Sequence, residues 1–209
     1  MEYTPELTDN EIQEVHRHHE ERIALYKKKG LDFEGFRKTI FEKMGPLEGR
    51  ILELGTGTGY TALSLAREGY KFVSIDTDKE ALKKTACRLA CEKLLSKARF
   101  YLMDAYHMDF SDASFDNVIA VNLFHHLEKI DAVLAEADRV LRVGGKLIIA
   151  DFNEKGREII DSTHREEGGA HDHPMANREQ ARSLIAGMGY KVESLDHKCH
   201  WILVAEKNG

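Results

Sequence analysis

The sequence is short of cysteine, of clustered positive charge and of long apolar runs, and each shortage removes a class of function. Its three cysteines, Cys87, Cys91 and Cys199, form no metal-spaced pair. Cys87 and Cys91 stand one helical turn apart and read as reduced thiols on one face, which fits a cytoplasmic location. No basic stripe is present: the longest run is Lys27-Lys28-Lys29 and the formal net charge is −6. Non-specific nucleic-acid binding draws on clustered positive charge, so no nucleic-acid partner is expected. No apolar run approaches ~20 residues, so no membrane-spanning segment is expected. The acidic, polar first residues do not read as a secretory signal. Internal repeats and low-complexity segments are also missing. What remains is a chain of 209 residues, ordinarily one domain and long enough to bury a core.

Within that chain one stretch organises the rest, Ile51-Leu52-Glu53-Leu54-Gly55-Thr56-Gly57-Thr58-Gly59-Tyr60-Thr61-Ala62. An apolar run of strand type enters a turn with glycine at every second position, and a small-residue helical pattern follows. Glycine admits positive φ and lets a ligand lie against the main chain. The helix after the turn opens with unpaired N–H groups and the positive end of its dipole. Such a turn suits a nucleotide-like ligand. Glu53 would repel a phosphate and favour a ligand with an ammonium group.

Two helical patterns precede this stretch. Thr8-Asp9-Asn10-Glu11 fits a capping box, and Ile12, Val15, His19, Ile23 and Tyr26 share one side of a helix ending near Gly30. Asp32 can cap a second helix, with Phe33, Phe36, Ile40 and Met44 inward, stopped by Gly45-Pro46. From residue 50 strand and helix alternate. Strands are predicted at 50–54, 71–75, 98–103, 117–121 and 146–151. Helices are predicted at 59–68, 78–95 and 129–142, the last ended by Gly144-Gly145. Residues 152–176 have no clean period and read as a long loop with at most a short helix, of a length that often serves as a lid. A last helix opens at Asn177, and two strands, 190–195 and 199–206, are joined too tightly for a parallel crossover. The expected fold is α/β: a doubly wound, mostly parallel seven-stranded sheet with a C-terminal antiparallel hairpin and N-terminal helices. We divide this single domain into a helical cap (1–46), a ligand-binding core (47–151), a lid-like loop (152–176) and a closing helix with hairpin (177–209).

Gly57-x-Gly59-x-x-Ala62 also satisfies a dinucleotide fingerprint, and Asp76, nineteen residues after Gly57 at a strand end, could accept ribose hydroxyls in either reading. An NAD(P)-dependent oxidoreductase is therefore one alternative. Three features oppose it: Met103-Asp104-Ala105 closing the third strand, the turn Asn122-Leu123-Phe124-His125-His126 after the fourth, and the final hairpin.

Together these motifs resemble the class I S-adenosylmethionine-dependent methyltransferases over about residues 47–206, in that family's order and spacing. The resemblance implies S-adenosyl-L-methionine as cofactor on a Rossmann-like fold. Glu53 would help hold the methionine ammonium, and Gly55, Thr56, Gly57 and Gly59 would form the loop beneath the methionine and ribose. Asp76 would be the ribose acid with Thr77 beside the adenine. Asp104 would meet the adenine, with Ala105 as a backbone donor, and Asn122 and Leu123 would sit near the sulfonium. Methyltransferases acting on DNA bases usually follow Asn or Asp with Pro-Pro-Tyr or a close variant. Leu-Phe-His-His instead resembles small-molecule enzymes, so the expected partner is a small or medium-sized methyl acceptor. A non-catalytic S-adenosylmethionine-binding protein is a further alternative.

Histidine suits proton removal near neutrality, and one of His125 and His126 is the candidate base. Adjacent residues point apart, so only one is expected to face the acceptor. Tyr26, His19, His171 and His173 are substrate-side candidates. No metal site is expected, since no compact tetrahedral signature occurs; His164, His171 and His173 are the alternative as one.

Overall fold

A computed structural model of the chain describes residues 1–168 and 177–209. Its centre is a single sheet in the strand order β1-β4-β3-β2-β5-β6-β8-β7. The parallel part comprises β2 (Ile51–Leu54), β3 (Phe72–Asp76), β4 (Ala98–Leu102), β5 (Phe115–Val121) and β6 (Leu141–Phe152). β7 (Tyr190–His197) and β8 (His200–Lys207) form the expected hairpin, and β8 runs antiparallel against β6. All four residues of β2 are buried, as a central strand covered on both faces requires.

Helices α3 (Tyr60–Arg67), α4 (Lys79–Cys91) and α5 (Ile130–Val140) follow β2, β3 and β5 in turn. Asp78 caps α4 by accepting from the Glu80 N–H at 2.9 Å. α7 (Arg178–Gly187) precedes the hairpin. The N-terminal pair is α1 (Asp9–Lys28) and α2 (Phe33–Met44). The Thr8 hydroxyl accepts from the Glu11 N–H, and the Glu11 carboxylate accepts from the Thr8 N–H at 2.9 Å, so the capping box is present. Phe36, Ile40 and Met44 of α2 enter an apolar cluster with Leu65, Ile148 and Ile202. A second cluster on Leu54, Val118, Leu134 and Leu147 fills the opposite face.

Three expectations are corrected. Among the described residues the sheet has eight strands, because β1 (Glu2–Tyr3) adds antiparallel to β4. Two residues are too few to show a period; the strand is held by backbone pairing to β4, and Arg99 adds an exposed ion pair, donating to Glu2 at 2.9 and 2.8 Å. Gly144-Gly145 does not end a helix. β6 begins at Leu141, and the two glycines lie in an irregularity where Phe115 pairs with Leu141 but Asn117 pairs with Lys146. Gly144 takes φ 75° there, which a bulge needs. Finally, most of the described part of 152–176 is a helix, α6 (Glu154–Glu166), capped by Asn153. Ile160 and Thr163 are its buried residues, with a glycine, Gly156, facing the hairpin. That narrow stripe on a charged helix hid the period.

Candidate active site

The crevice opens at the carboxyl ends of β2 and β5, where connections depart toward opposite sides of the sheet, the switch point at which open α/β sheets bind ligands. Its floor is the glycine turn. Gly55, Gly57 and Gly59 have φ of 68°, 48° and 76°. The Gly55 and Thr56 N–H groups donate to the Ile75 carbonyl at 2.9 and 3.1 Å, which ties the turn to β3. A Cβ on Gly55 would lie 2.7 Å from Leu123 and one on Gly59 2.5 Å from Thr85, whereas one on Gly57 would meet nothing within 4 Å. Close packing demands the outer two glycines, and the middle one faces open space.

Glu53 lies beneath the turn with only 1% of its surface exposed. One oxygen accepts from Ser74 at 2.5 Å and from Thr56 at 3.3 Å, while Oε1 has no partner. Burial pushes its carboxyl up to about 7, against the pull of those hydroxyl hydrogen bonds. Asp76 closes β3 and braces the turn: Oδ2 accepts from the Gly57 N–H at 2.9 Å and Oδ1 from the Asp78 N–H at 3.0 Å. Asp104 accepts from the Tyr106 N–H at 2.9 Å. Asn122 takes φ 56°, a region asparagine enters more readily than most residues, and its Oδ1 is buried without a partner.

Two hollows meet over this floor. The larger, about 630 Å³, is walled by Asp76, Thr77, Met103, Asp104, Ala105 and Leu123 among others. The smaller, about 240 Å³, lies between the glycine turn and helices α1, α2 and α6. Gly55, Gly57, Asn122 and His126 belong to both walls. Gly59 lines neither and packs against Thr85 instead.

The smaller hollow holds the candidate base and its neighbours. His125 Nδ1 donates to Asp151 Oδ1 at 2.7 Å, and its backbone N–H donates to Asp151 Oδ2 at 3.1 Å. Asp151 ends inside β6, fully buried, and also takes the Phe152 N–H at 2.7 Å. His126 lines the cavity as well, its ring centroid 4.0 Å from that of His125. The 3-10 turn Phe124–His126 brings both rings to one wall, so the expectation that only one faces the cavity is corrected.

The remaining candidates divide. Tyr26 is on the wall: its hydroxyl accepts from Arg22 at 2.7 Å and lies 3.4 Å from Nε2 of His164, which α6 carries to the same hollow. His19 is not. It is buried outside the cavity against Tyr60, ring centroids 4.8 Å apart, and burial, helped by Arg88, pulls it down to about 3. His171 and His173 lie outside the described residues. Among the described residues no group of three or more His, Cys, Asp or Glu could hold a metal.

Sequence reasoning missed Arg37 and Asp151. Asp151 carried a usable signal, since it closes a strand of the parallel sheet as Asp76 does. Arg37, on an amphipathic helix, carried none.

Residues 52–149 match the family model for a methyltransferase domain. Among curated relatives, methyltransferase GfsG of Streptomyces halstedii is 33% identical over 125 residues, covering 59% of this chain and 45% of that protein. O-methyltransferase rstn1 of Aspergillus nomiae is 26% identical over 162 residues, 76% of this chain and 72% of that one. The chain spans about half the length of the first curated relatives it matches, 45% in two cases. Two solved structures share the fold. A SAM dependent methyltransferase from Aquifex aeolicus has a TM-score of 0.63 at 18% identity, covering 81% of this chain and 88% of that one. The PH0226 protein from Pyrococcus horikoshii has a TM-score of 0.67 at 21% identity, covering 82% and 87%.

Proposed function

We propose, from the premise that the chain belongs to the class I S-adenosylmethionine-dependent methyltransferase family, that it moves a methyl group from S-adenosylmethionine to a small molecule. The observation that carries this reading is the meeting of two hollows over one glycine turn, with the unpartnered Oε1 of a buried acid below. The residues fit that cofactor. Asp76 and Thr77 would hold the ribose side, Asp104 and Ala105 the adenine, and the open face of Gly57 would admit the amino-acid end toward Glu53. S-adenosylmethionine brings an activated methyl on a positive sulfur, so the protein has no bond to activate.

What the chain must do is align, exclude water and remove a proton. Gly55, Gly57 and Asn122 line both hollows and would align the two reactants. Phe33, Tyr60, Phe152 and Ile160 give the smaller hollow an apolar wall. The Asp151 carboxylate fixes the His125 proton on Nδ1, which leaves Nε2 as the basic atom, and His125 takes the acceptor's proton there. Asp151 is then a positioning residue. Helices α1, α2 and α6 enclose the acceptor, and the hollow's size favours a small one. Several curated relatives carry names of small-molecule methyltransferases, including one of 27-O-demethylrifamycin SV.

Calorimetry with S-adenosylhomocysteine and with NAD tests the reading. Micromolar S-adenosylhomocysteine affinity is expected, weakened by Asp76→Ala about tenfold or more through loss of hydrogen bonds to a charged group. Clear NAD affinity with no S-adenosylhomocysteine affinity would replace this reading with the oxidoreductase. Binding without release of S-adenosylhomocysteine across an acceptor screen would favour a binding protein.

A further inference from the structure

We propose that Arg37 is a carboxylate-binding residue of the smaller hollow. Arg37 stands on α2 with 5% of its surface exposed. Its guanidinium carbon lies 5.2 Å from the ring centre of Phe33, 5.6 Å from that of Phe36 and 5.3 Å from that of Tyr60. Nη1 donates to the Phe33 carbonyl at 3.5 Å, the outer limit of such a bond, and Nε has no partner. Arg22, on the same cavity wall, pairs with Glu167 at 2.8 Å. Arg37 has no carboxylate within ion-pair distance among the described residues, and Glu53 acts on it only from farther off.

A buried charge persists where other charges or hydrogen bonds compensate it. Three aromatic faces supply part of that compensation, and the guanidinium stays charged at neutral pH although burial pulls it down to about 10. The rest is open to a ligand. No Asp or Glu is among the described residues of the cavity wall, so no carboxylate of the protein lines the space an anion would enter. The planar fork of arginine matches a carboxylate through two parallel hydrogen bonds.

Two molecules can bring the carboxylate: the cofactor, on its amino-acid end, and an acid acceptor. Their identity, but not the anion site, rests on the transferase reading. Calorimetry on the full chain separates them, using S-adenosylhomocysteine, 5′-methylthioadenosine, which lacks the amino-acid end, and benzoate titrated into the S-adenosylhomocysteine complex. If the cofactor is the source, Arg37→Met weakens S-adenosylhomocysteine by about 10–100-fold, the scale of a lost charged hydrogen bond, and leaves methylthioadenosine unchanged. If the acceptor is the source, S-adenosylhomocysteine is unchanged and the wild-type benzoate signal disappears in the variant. Arg37→Lys is expected to recover part of the loss in either case. Equal affinities of wild type and Arg37→Met for all three probes overturn the proposal.

Should Arg37→Met unfold, a crystal structure of the wild type with S-adenosylhomocysteine and benzoate decides. A carboxylate oxygen within hydrogen-bond distance of Arg37 supports the site, and its absence overturns it. Wild-type protein that binds neither nucleoside removes the transferase reading instead, and benzoate alone then tests Arg37.

Discussion

Glu53 shows how one buried acid can couple ligand binding to pH. In an unfolded chain it would titrate near the ordinary 4.5, and burial lifts it to about 7. The folded state therefore keeps a proton that the unfolded state gives up, so ligand-free stability falls as pH rises from 4.5 toward 7. At about 1.4 kcal/mol per pH unit the loss is capped at about 3.5 kcal/mol. Glu53→Gln keeps the shape and removes the titration. Denaturant titrations should show the wild type losing stability relative to the variant across that window; parallel curves would mean Glu53 is not raised. An ammonium group beside it favours the ionised form, so S-adenosylhomocysteine affinity should rise between pH 6 and 8 in the wild type alone. His125 and Asp151 form the other residue-scale test. Asp151→Asn should lower kcat by about 10²–10⁴-fold, the usual worth of a general base, with S-adenosylhomocysteine affinity unchanged. His125→Asn should match it, and the double variant should be no worse. An unaltered kcat would remove the pair from the chemistry.

At the scale of elements, the glycine turn separates packing from binding. Gly59→Ala puts a methyl against Thr85 at positive φ and should cost about 1–3 kcal/mol of stability by chemical denaturation. In Gly57→Val the added Cβ meets no atom within 4 Å. The substitution carries only the left-handed backbone cost of about 1–2 kcal/mol, so the variant should fold and yet lose S-adenosylhomocysteine. Retained micromolar affinity would show that the ligand does not pass over Gly57. Helix α6 offers a complementary case. A Cβ on Gly156 would fall 2.0 Å from the Cys199 carbonyl, so Gly156→Ala must push α6 from the hairpin. Melting temperature and acceptor turnover should both fall, while S-adenosylhomocysteine affinity stays near the wild-type value. Equal losses of both ligands would mean that α6 supports the whole crevice.

For the molecule as a whole, the N-terminal helices are part of the core. Phe36, Ile40 and Met44 are each at most 2% exposed. At about 1.5–3 kcal/mol per buried side chain of this size, these three alone rival a typical domain stability of about 5–15 kcal/mol. Outside the apolar clusters, Lys83 of α4 pairs with Glu11 of α1. A chain lacking residues 1–46 should therefore lose its cooperative melt and bind hydrophobic dye. Cooperative melting at the wild-type temperature would reduce these helices to an appendage.

The sequence by itself determined the strand–helix alternation, the glycine turn, and the acids Asp76 and Asp104 at strand ends. Each of these is local: a periodicity of two or 3.6, a glycine where φ must be positive, a carboxylate one residue beyond an apolar run. Even the antiparallel hairpin followed from a turn too short for a crossover. What only the tertiary structure decided are contacts between distant segments. Asp151 reaches His125 across 26 residues, His19 turns away from the cavity under Tyr60, and β1 pairs with β4 nearly a hundred residues on. Arg37 becomes a candidate anion site only because burial among Phe33, Phe36 and Tyr60 leaves it without a carboxylate. Burial and partnership are properties of packing, and no window of sequence contains them.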